Sequence, residues 1–312
     1  MKVEHLVRDF LADCDKRSKL PLDNDDRLSI KTIREYRQPL QQVLLPFCAR
    51  EGIEDISQLG KHELERLKDD LASNGAKSGR QLKTPTVNSY LRAINVCLNW
   101  ARATDHDLGG DAKIKLFKPK RPNLEVLSRD EISRIENAAE RERDKLIVRM
   151  LADTGVRVGE LIHLEVGDVI AEGSRVFIRV DGKTGHRDVP LMPELHKRLR
   201  RYINDTRPKR AESDRVFLGL RRRPGGGIEP LTESGVGQVI RDLAEKAEIG
   251  RRVYCHLFRH SFITFQYSRM PSLYLKEIVG HQSMAMIDRV YSHITPVDTY
   301  DALQRSMQGT RA

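Results

Sequence analysis

A short proline-containing segment divides this chain into two parts with different patterns. Residues 118–123, KPKRPN, contain Pro119 and Pro122, and proline disrupts a helix because it lacks a backbone N–H and its ring clashes with the preceding turn. The segment therefore predicts a linker. A chain of 312 residues is long enough for two domains, each with a hydrophobic core of its own. We predict domains at 1–117 and 124–312, joined by the linker.

The first domain shows helical periodicity and very little of the alternation typical of strands. A helix is predicted from about Ser29 to Arg50, with a kink at Pro39. Another begins at Thr84-Pro85, with Thr84 as the predicted N-cap. Its apolar residues recur at helical spacing and predict one buried face: Val87, Leu91, Ile94, Leu98 and Ala101. We therefore expect an all-α first domain.

The second domain opens with a helix and continues into a β-hairpin. Ser128 and Glu131 have the spacing of a capping box at a helix start. Residues 175–180 and 188–191 are predicted strands, and the turn between them is assigned to Asp181-Gly182. After the hairpin the pattern is helical again, apart from a glycine-rich loop. The predicted fold is mainly α with a small antiparallel β-sheet.

The charge balance favours a polyanionic partner. Lys and Arg number 55 against 45 Asp and Glu, a formal net charge of +10. Such a surface binds nucleic acid by releasing counterions from phosphates. Charge alone, however, does not separate a DNA-binding protein from an ordinary basic protein.

The cysteines and the N-terminus bear on the compartment. No signal peptide pattern and no apolar run of about 18 residues is present, so we expect a cytoplasmic protein without a membrane partner. The four cysteines form no CxxC pair and are predicted to be buried thiols in a reducing compartment: Cys14, Cys48, Cys97 and Cys255.

The candidate chemistry begins with His256 and Arg259. Their spacing of three puts an imidazole and a guanidinium on one helix face, where they could hold a phosphate. Alone, such a pair is more often part of a solvated or salt-bridged face. The order of other segments changes this interpretation, because TGVRVGEL at 154–161 precedes the pair, and a Gly-His at 280–281 and Tyr291 follow it.

With these segments the sequence resembles the tyrosine recombinase, or phage integrase, family. The family pattern is an arginine in a TGxRxxEL helix start, a lysine in a β-hairpin, an HxxR pair, a GH dipeptide and a tyrosine soon after it. The resemblance implies a two-domain DNA clamp, with a helical core-binding domain and a catalytic domain, in an Xer-like enzyme without an arm-binding domain. The matching positions are Arg157, Lys183, His256, Arg259, His281 and Tyr291.

The resemblance also implies a role for each position. Arg157 and Arg259 would grip the non-bridging oxygens of the scissile phosphate, and Glu160 matches an acid that supports the first arginine. His256 and His281 would hydrogen-bond the phosphate or assist proton transfer.

Lys183 resembles the general acid that protonates the departing 5′ oxygen. Tyr291 would be the nucleophile that forms a 3′-phosphotyrosyl link, with Tyr300 as the fallback. Arg179 and Arg187, on the same hairpin, are interpreted as contacts to the DNA backbone. Other tyrosines of this domain are expected to pack in the helical core: Tyr254, Tyr267 and Tyr274.

The implied partners are double-stranded DNA and further copies of the chain. By resemblance the enzyme would act as a tetramer on two sites and be a monomer or weak oligomer when free. No ATP-binding loop and no metal-ligand motif is present, so we expect no cofactor and no metal. Two alternatives stay open: a type IB topoisomerase that relaxes DNA, and a DNA-binding protein that has lost catalysis.

Overall fold

Two compact units make up the chain, Met1–Lys120 and Arg121–Ala312. None of the helices described combines the length and the apolar composition needed to cross a membrane. The computed structural model describes residues 1–21, 24–75, 81–109, 113–118, 125–182, 185–209, 213–222, 227–267, 269–280, 300 and 304.

The first unit is helical, as its periodicity predicts. At its centre the Phe10 ring lies 5.9 Å from the Tyr36 ring and 5.7 Å from the Trp100 ring, measured between centroids. Its α-helices are α1 (Val3–Ser18), α2 (Ile30–Pro39), α3 (Leu45–Arg50), α4 (Lys61–Asn74) and α5 (Thr84–Ala103).

The predicted helix from Ser29 to Arg50 is interrupted rather than simply kinked. Ser29 caps α2 by accepting the backbone N–H of Thr32, and the α-helix ends at Pro39. Residues Leu40–Leu44 then form a π-helix before α3 begins. Pro39 has no backbone N–H to donate, which weakens the helical ladder at this junction.

Helix α5 buries the predicted apolar face and also two asparagines. The predicted N-cap is displaced by one residue, because Lys83 has the extended cap conformation. Asn88 pairs with the backbone N–H and C=O of Phe117, at 2.9 Å each, and Asn95 pairs in the same way with Ile114, at 3.0 and 2.9 Å. Through these four hydrogen bonds the two side-chain amides hold segment 113–118 against the helix.

The second unit combines helices with two small sheets. Helix α7 packs against α6 and α11, and α12 packs against β3. Its elements are α6 (Arg129–Asn137), α7 (Glu142–Thr154), α8 (Val158–His163), β1 (Val169–Glu172), β2 (Arg175–Gly182), β3 (Gly185–Pro190), α9 (Pro193–Arg201), β4 (Leu218–Arg222), β5 (Ile228–Pro230), α10 (Glu233–Lys246), α11 (Cys255–Tyr267) and α12 (Ser272–Val279).

The capping box predicted for α6 is confirmed. Ser128 Oγ accepts the Glu131 backbone N–H at 3.1 Å, and the Glu131 carboxylate accepts the Ser128 backbone N–H at 2.7 Å. Two N–H groups at the helix start are thereby satisfied.

The sheets agree with the predicted fold class but not with the predicted turn. Strands β1, β2 and β3 form an antiparallel sheet in that order, and β4 pairs with β5 in a second one. Asp181 pairs with His186 and Gly182 with Gly185, so both predicted turn residues belong to β2. The assignment of the turn to Asp181-Gly182 is therefore wrong. Strands β1, β4 and β5 were not predicted.

Candidate active site

A left-handed glycine shapes the loop that leads to Arg157. Gly155 ends α7 with φ +64°, and a Cβ atom there would lie 2.4 Å from the Phe262 ring. Arg157 follows in extended conformation as the N-cap of α8. Its backbone N–H donates to Glu160 Oε2 at 2.7 Å, which places a carboxylate at the positive end of the helix. The backbone of Arg157 is thereby fixed at the start of α8.

The Glu160 carboxylate is the buried centre of the site. Its side chain is only 4% exposed, and Oε1 accepts a hydrogen bond from Arg157 Nη1 at 2.7 Å. Burial raises the pKa of this carboxyl, but hydrogen bonds from Arg187 and Arg157 outweigh burial and hold the pKa below its usual value. Glu160 is therefore ionised at neutral pH and supports Arg157, as the resemblance implies.

Arg187 reaches the same carboxylate from β3. Its Nη1 and Nη2 atoms donate to Glu160 Oε1 and Oε2 at 2.9 and 2.8 Å, a two-bond fork, and its Nε donates to the Ile278 carbonyl at 2.8 Å. The side chain is 11% exposed. The prediction that Arg187 contacts the DNA backbone is wrong, because each of its nitrogens is engaged inside the protein. Arg179 pairs with the exposed Asp188 instead.

Arg157 and Arg259 meet at one turn of the chain. Arg259, on α11, is buried and donates to the Gly155 carbonyl at 2.6 Å and to the Val279 carbonyl. Arg157 Nη2 donates to the carbonyl of Gly280, the residue after Val279. The two arginines, more than 100 residues apart in sequence, are thus brought to the same place. Their convergence is what the HxxR spacing alone could not establish.

His256 lies beside these charges. Burial and the positive charges of Arg259 and Arg157 lower its pKa, and the Glu160 charge opposes them. The imidazole is therefore mostly neutral at pH 7 and can accept or donate a hydrogen bond. Its ring stands edge-on to the His260 ring, with 5.1 Å between centroids.

His260 was not predicted as part of the site. Burial, His256 and Arg259 lower its pKa to about 4, so this imidazole stays neutral. The signal that could have identified it is its position four residues after His256, which puts both rings on one face of α11.

The other predicted site residues lie outside the described residues: Lys183, His281 and Tyr291. The chain beside two of them is described. Gly182, which precedes Lys183, lies where an added Cβ atom would be 3.2 Å from Arg187 Nη1 and 3.4 Å from Glu160 Oε1. Gly280, which precedes His281, ends α12 with φ +62°. The backbone adjoining both residues therefore borders the Glu160–Arg187 pair.

Two tyrosines expected in the core are exposed. Tyr254 and Tyr274 both present large exposed areas, so this prediction is wrong for them, while Tyr267 is half-buried. Tyr300, the fallback nucleophile, is exposed as well. Apolar character and helical spacing do not fix the side on which a tyrosine lies, because its hydroxyl tolerates water.

The described part of the site offers positive charge and hydrogen-bond donors. Two guanidinium groups and a neutral imidazole suit an oxyanion such as a phosphodiester, whose oxygens match the arginine fork. Within the described ranges there is no cluster of three or more His, Cys, Asp or Glu side chains that could hold a metal ion. The two arginines can stabilise negative charge on such an oxyanion.

Comparison with known proteins finds one matching family model and relatives that align with most of the chain. The family model described as "Phage integrase family" matches residues 125–297. Tyrosine recombinase XerA of Pyrococcus horikoshii is 28% identical over 221 residues, which cover 69% of this chain and 74% of that protein.

Solved structures share the fold. The XerH site-specific recombinase in a post-cleavage complex with palindromic difH substrate superposes with a TM-score of 0.73 at 17% identity, over 96% of this chain and 94% of that chain. A lambda integrase tetramer bound to a Holliday junction gives 0.63 at 17% identity, over 91% of this chain and 78% of that one.

Proposed function

This chain belongs to the phage integrase family and is a tyrosine site-specific recombinase, and we propose that it cuts and rejoins DNA strands through a covalent bond to Tyr291. One observation carries the proposal. Arg157, at the start of α8, and Arg259 and His256, on α11, converge where Gly155 and the Val279–Gly280 turn meet. Such an array of donors fits one phosphodiester.

The two arginines would stabilise the transition state. Negative charge on the phosphoryl oxygens grows as Tyr291 attacks, and donors already fixed in place interact with it without reorganising. Arg259 is held by two backbone carbonyls and Arg157 by Glu160, so both guanidinium groups are oriented before DNA binds. The Arg157 side chain is 36% exposed and its guanidinium has five N–H groups, so its pairing with protein groups leaves donors for phosphate oxygens.

The chemical step transfers a phosphoryl group without net loss of bond energy. The Tyr291 hydroxyl gives its proton to His256 or His281, and its oxygen bonds to phosphorus as the bond to the 5′ oxygen breaks, which leaves a 3′-phosphotyrosyl link. Lys183 would supply the proton that turns the departing 5′ oxygen into a hydroxyl. His256 and His281 would hydrogen-bond the phosphate. A 5′-hydroxyl of the partner strand then attacks the link, and the tyrosine leaves, so ATP is not needed.

The proposed partners are double-stranded DNA, bound by both units, and further copies of the chain. The unit Met1–Lys120 would be the core-binding domain and the unit Arg121–Ala312 the catalytic domain, with both following the DNA backbone through the chain's net positive charge. We propose a tetramer on two sites. The lambda integrase tetramer on a Holliday junction, which shares the fold, is the precedent that supports this arrangement.

Covalent trapping tests the proposal. Duplexes with the sequence around the gene are incubated with the wild type in EDTA. Each duplex carries a nick, so that cleavage releases a short fragment and rejoining is prevented. We expect a protein–DNA adduct that resists denaturant. Tyr291→Phe should form none, whereas Tyr300→Phe, the control at the fallback tyrosine, should form it at the wild-type level.

Two results would contradict the proposal. An adduct that persists in Tyr291→Phe would assign the nucleophile elsewhere. Absence of any adduct with the wild type, on DNA that it binds, would favour a DNA-binding protein without catalysis.

A further inference from the structure

The Glu160–Arg187 ion pair contacts Arg157 and also other segments of the site. The Glu160 carboxylate accepts four hydrogen bonds, two from Arg157 and two from Arg187. Because both side chains are nearly inaccessible to solvent, water cannot replace these bonds when one is lost. A change in Arg187 is therefore transmitted to the position of Arg157.

The hairpin packs against the same ion pair. The Cβ position of Gly182 lies 3.2 Å from Arg187 Nη1 and 3.4 Å from Glu160 Oε1, so the absence of a side chain permits this close approach. Gly182 pairs with Gly185, and Lys183 follows Gly182 in the sequence. The ion pair thus lies against the residue that precedes the proposed general acid in the sequence.

The end of α12 also contacts Arg187. Its Nε holds the Ile278 carbonyl at 2.8 Å, and an added Cβ atom on Gly280 would lie 3.0 Å from Nη1 and 3.1 Å from the guanidinium carbon. Gly280 immediately precedes His281. Arg187 therefore fixes the exit of α12 where the chain continues to the second proposed histidine.

From these three contacts we propose that Arg187 is a positioning residue, which sets Arg157, Gly182 and Gly280 relative to one another through Glu160 and the Ile278 carbonyl. Gly182 and Gly280 precede Lys183 and His281 in the sequence. It acts on the reaction through these neighbours, because its own guanidinium is engaged within the protein. The proposal rests on the proposed function for its effect on cleavage. Its effect on the order of the three segments does not depend on that function.

Lysine cannot replace Arg187 in this role. One ammonium nitrogen can approach the carboxylate or the Ile278 carbonyl, but it lacks the planar fork that holds both oxygens and the carbonyl together. The Arg187→Lys variant keeps the positive charge of the side chain but loses the planar arrangement of the guanidinium donors. Displacement of reacting groups by about 1 Å costs about 100-fold in rate, and we expect a loss of that order in cleavage at saturating enzyme.

Arg198→Lys is the matched control. Arg198 also binds a largely buried carboxylate, donating to Glu136 at 2.7 Å and to Glu142 at 3.0 Å, and neither partner belongs to the site. Gly182→Ala is a second test variant that leaves the ion pair chemically intact, since the new methyl group presses only on its edge. It should lower the cleavage rate in the same direction.

The experiment combines hydrogen exchange of the full chain with single-turnover cleavage of the nicked duplex. In Arg187→Lys, peptides that contain Arg157, Gly182 and Gly280 should lose protection together, and the cleavage rate should fall while DNA affinity stays at the wild-type value. Arg198→Lys should loosen only peptides of α6, α7 and α9 and cleave normally.

The outcomes separate the two proposals. Unchanged protection of the three peptides in Arg187→Lys and Gly182→Ala would overturn the positioning role, even if the wild type never forms an adduct. Cleavage at the wild-type rate by Arg187→Lys, on a duplex that the wild type cuts, would overturn it as well. Lack of cleavage by the wild type, with the three peptides still coupled, would overturn only the proposed function.

Discussion

Replacing Glu160 by glutamine tests whether the buried charge holds the site together. An amide has nearly the same shape as a carboxylate, but its NH₂ group donates and cannot accept. Each Glu160 oxygen accepts two hydrogen bonds, so either orientation of the amide would turn two of the four bonds into contacts between donors. Glu160→Gln therefore removes half of the bonds and leaves Arg187 without a charged partner.

The expected loss of stability follows from burial. Removing one partner of a buried ion pair costs about 3–5 kcal/mol. The Arg157 side chain is 36% exposed and water can replace part of its contribution, so the lower end, about 3 kcal/mol, is the expected value. With a urea dependence of about 1–3 kcal/mol per molar, the midpoint of the second unit should fall by about 1–3 M.

The difference in unfolding free energy between the wild type and Glu160→Gln should decrease as the pH falls. The folded-state pKa of Glu160 lies below its usual value, so the stabilisation is present above the unfolded pKa of about 4.3 and is lost as the pH falls through the folded pKa. Protonated Glu160 has one donor and resembles glutamine. The gap between wild type and Glu160→Gln should thus be full at pH 7 and shrink below about pH 4.

Urea unfolding followed by circular dichroism at both pH values measures the gap. Fluorescence of Trp100, the single tryptophan, reports on the first unit and should keep its midpoint. Asp188→Asn is the control, because it breaks an exposed two-bond pair with Arg179 and should cost less than about 1 kcal/mol. A loss of stability in Glu160→Gln no larger than in the control, or equal at pH 7 and below pH 4, would contradict a stabilising role of the buried Glu160 charge.

Two further substitutions probe the first unit and the loop that leads to Arg157. Asn95→Ala leaves the buried N–H and C=O of Ile114 without partners, and should lower the stability of the first unit by about 1–3 kcal/mol in Trp100 fluorescence; an unchanged midpoint would show that these bonds contribute nothing. Gly155→Ala forces a side chain into left-handed backbone and against Phe262, and should cost at least about 1–2 kcal/mol. Because Arg259 is held by the Gly155 carbonyl, adduct formation should fall while DNA binding persists, and wild-type cleavage by this variant would contradict the link.

Local signals in the sequence predicted local structure well. The capping box of Ser128 and Glu131 needs only residues three apart, and the helix it predicts begins where expected. The apolar face of α5 follows in the same way from a repeat of 3.6 residues. Such features depend on neighbours in sequence, so no knowledge of the tertiary fold is required.

Strand ends and short strands were harder to predict. Asp181 and Gly182 are common turn residues, yet their pairing with His186 and Gly185 keeps them in β2, because ladder hydrogen bonds override a weak local preference. Strand β5 is only three residues long, too short to show an alternating pattern.

The arginines of the site show a similar limit. Arg157 and Arg259 were found from motifs, but Arg187 was interpreted as a surface cation because its partners are 27 and 91 residues away in sequence. Nothing in the spacing of the hairpin indicates that β3 passes beside Glu160 and α12. Only the packed fold reveals that this guanidinium is internal.

The most direct test of Tyr291 as the nucleophile is to identify the residue that carries the DNA. The adduct is digested with nuclease and trypsin, and tandem mass spectrometry locates the nucleotide in the peptide 290–305, which contains both Tyr291 and Tyr300. We expect a 3′-linked phosphate on Tyr291, with a free 5′-hydroxyl on the released strand. A nucleotide on Tyr300 or on any other residue, or a 5′-linked phosphate, would contradict it.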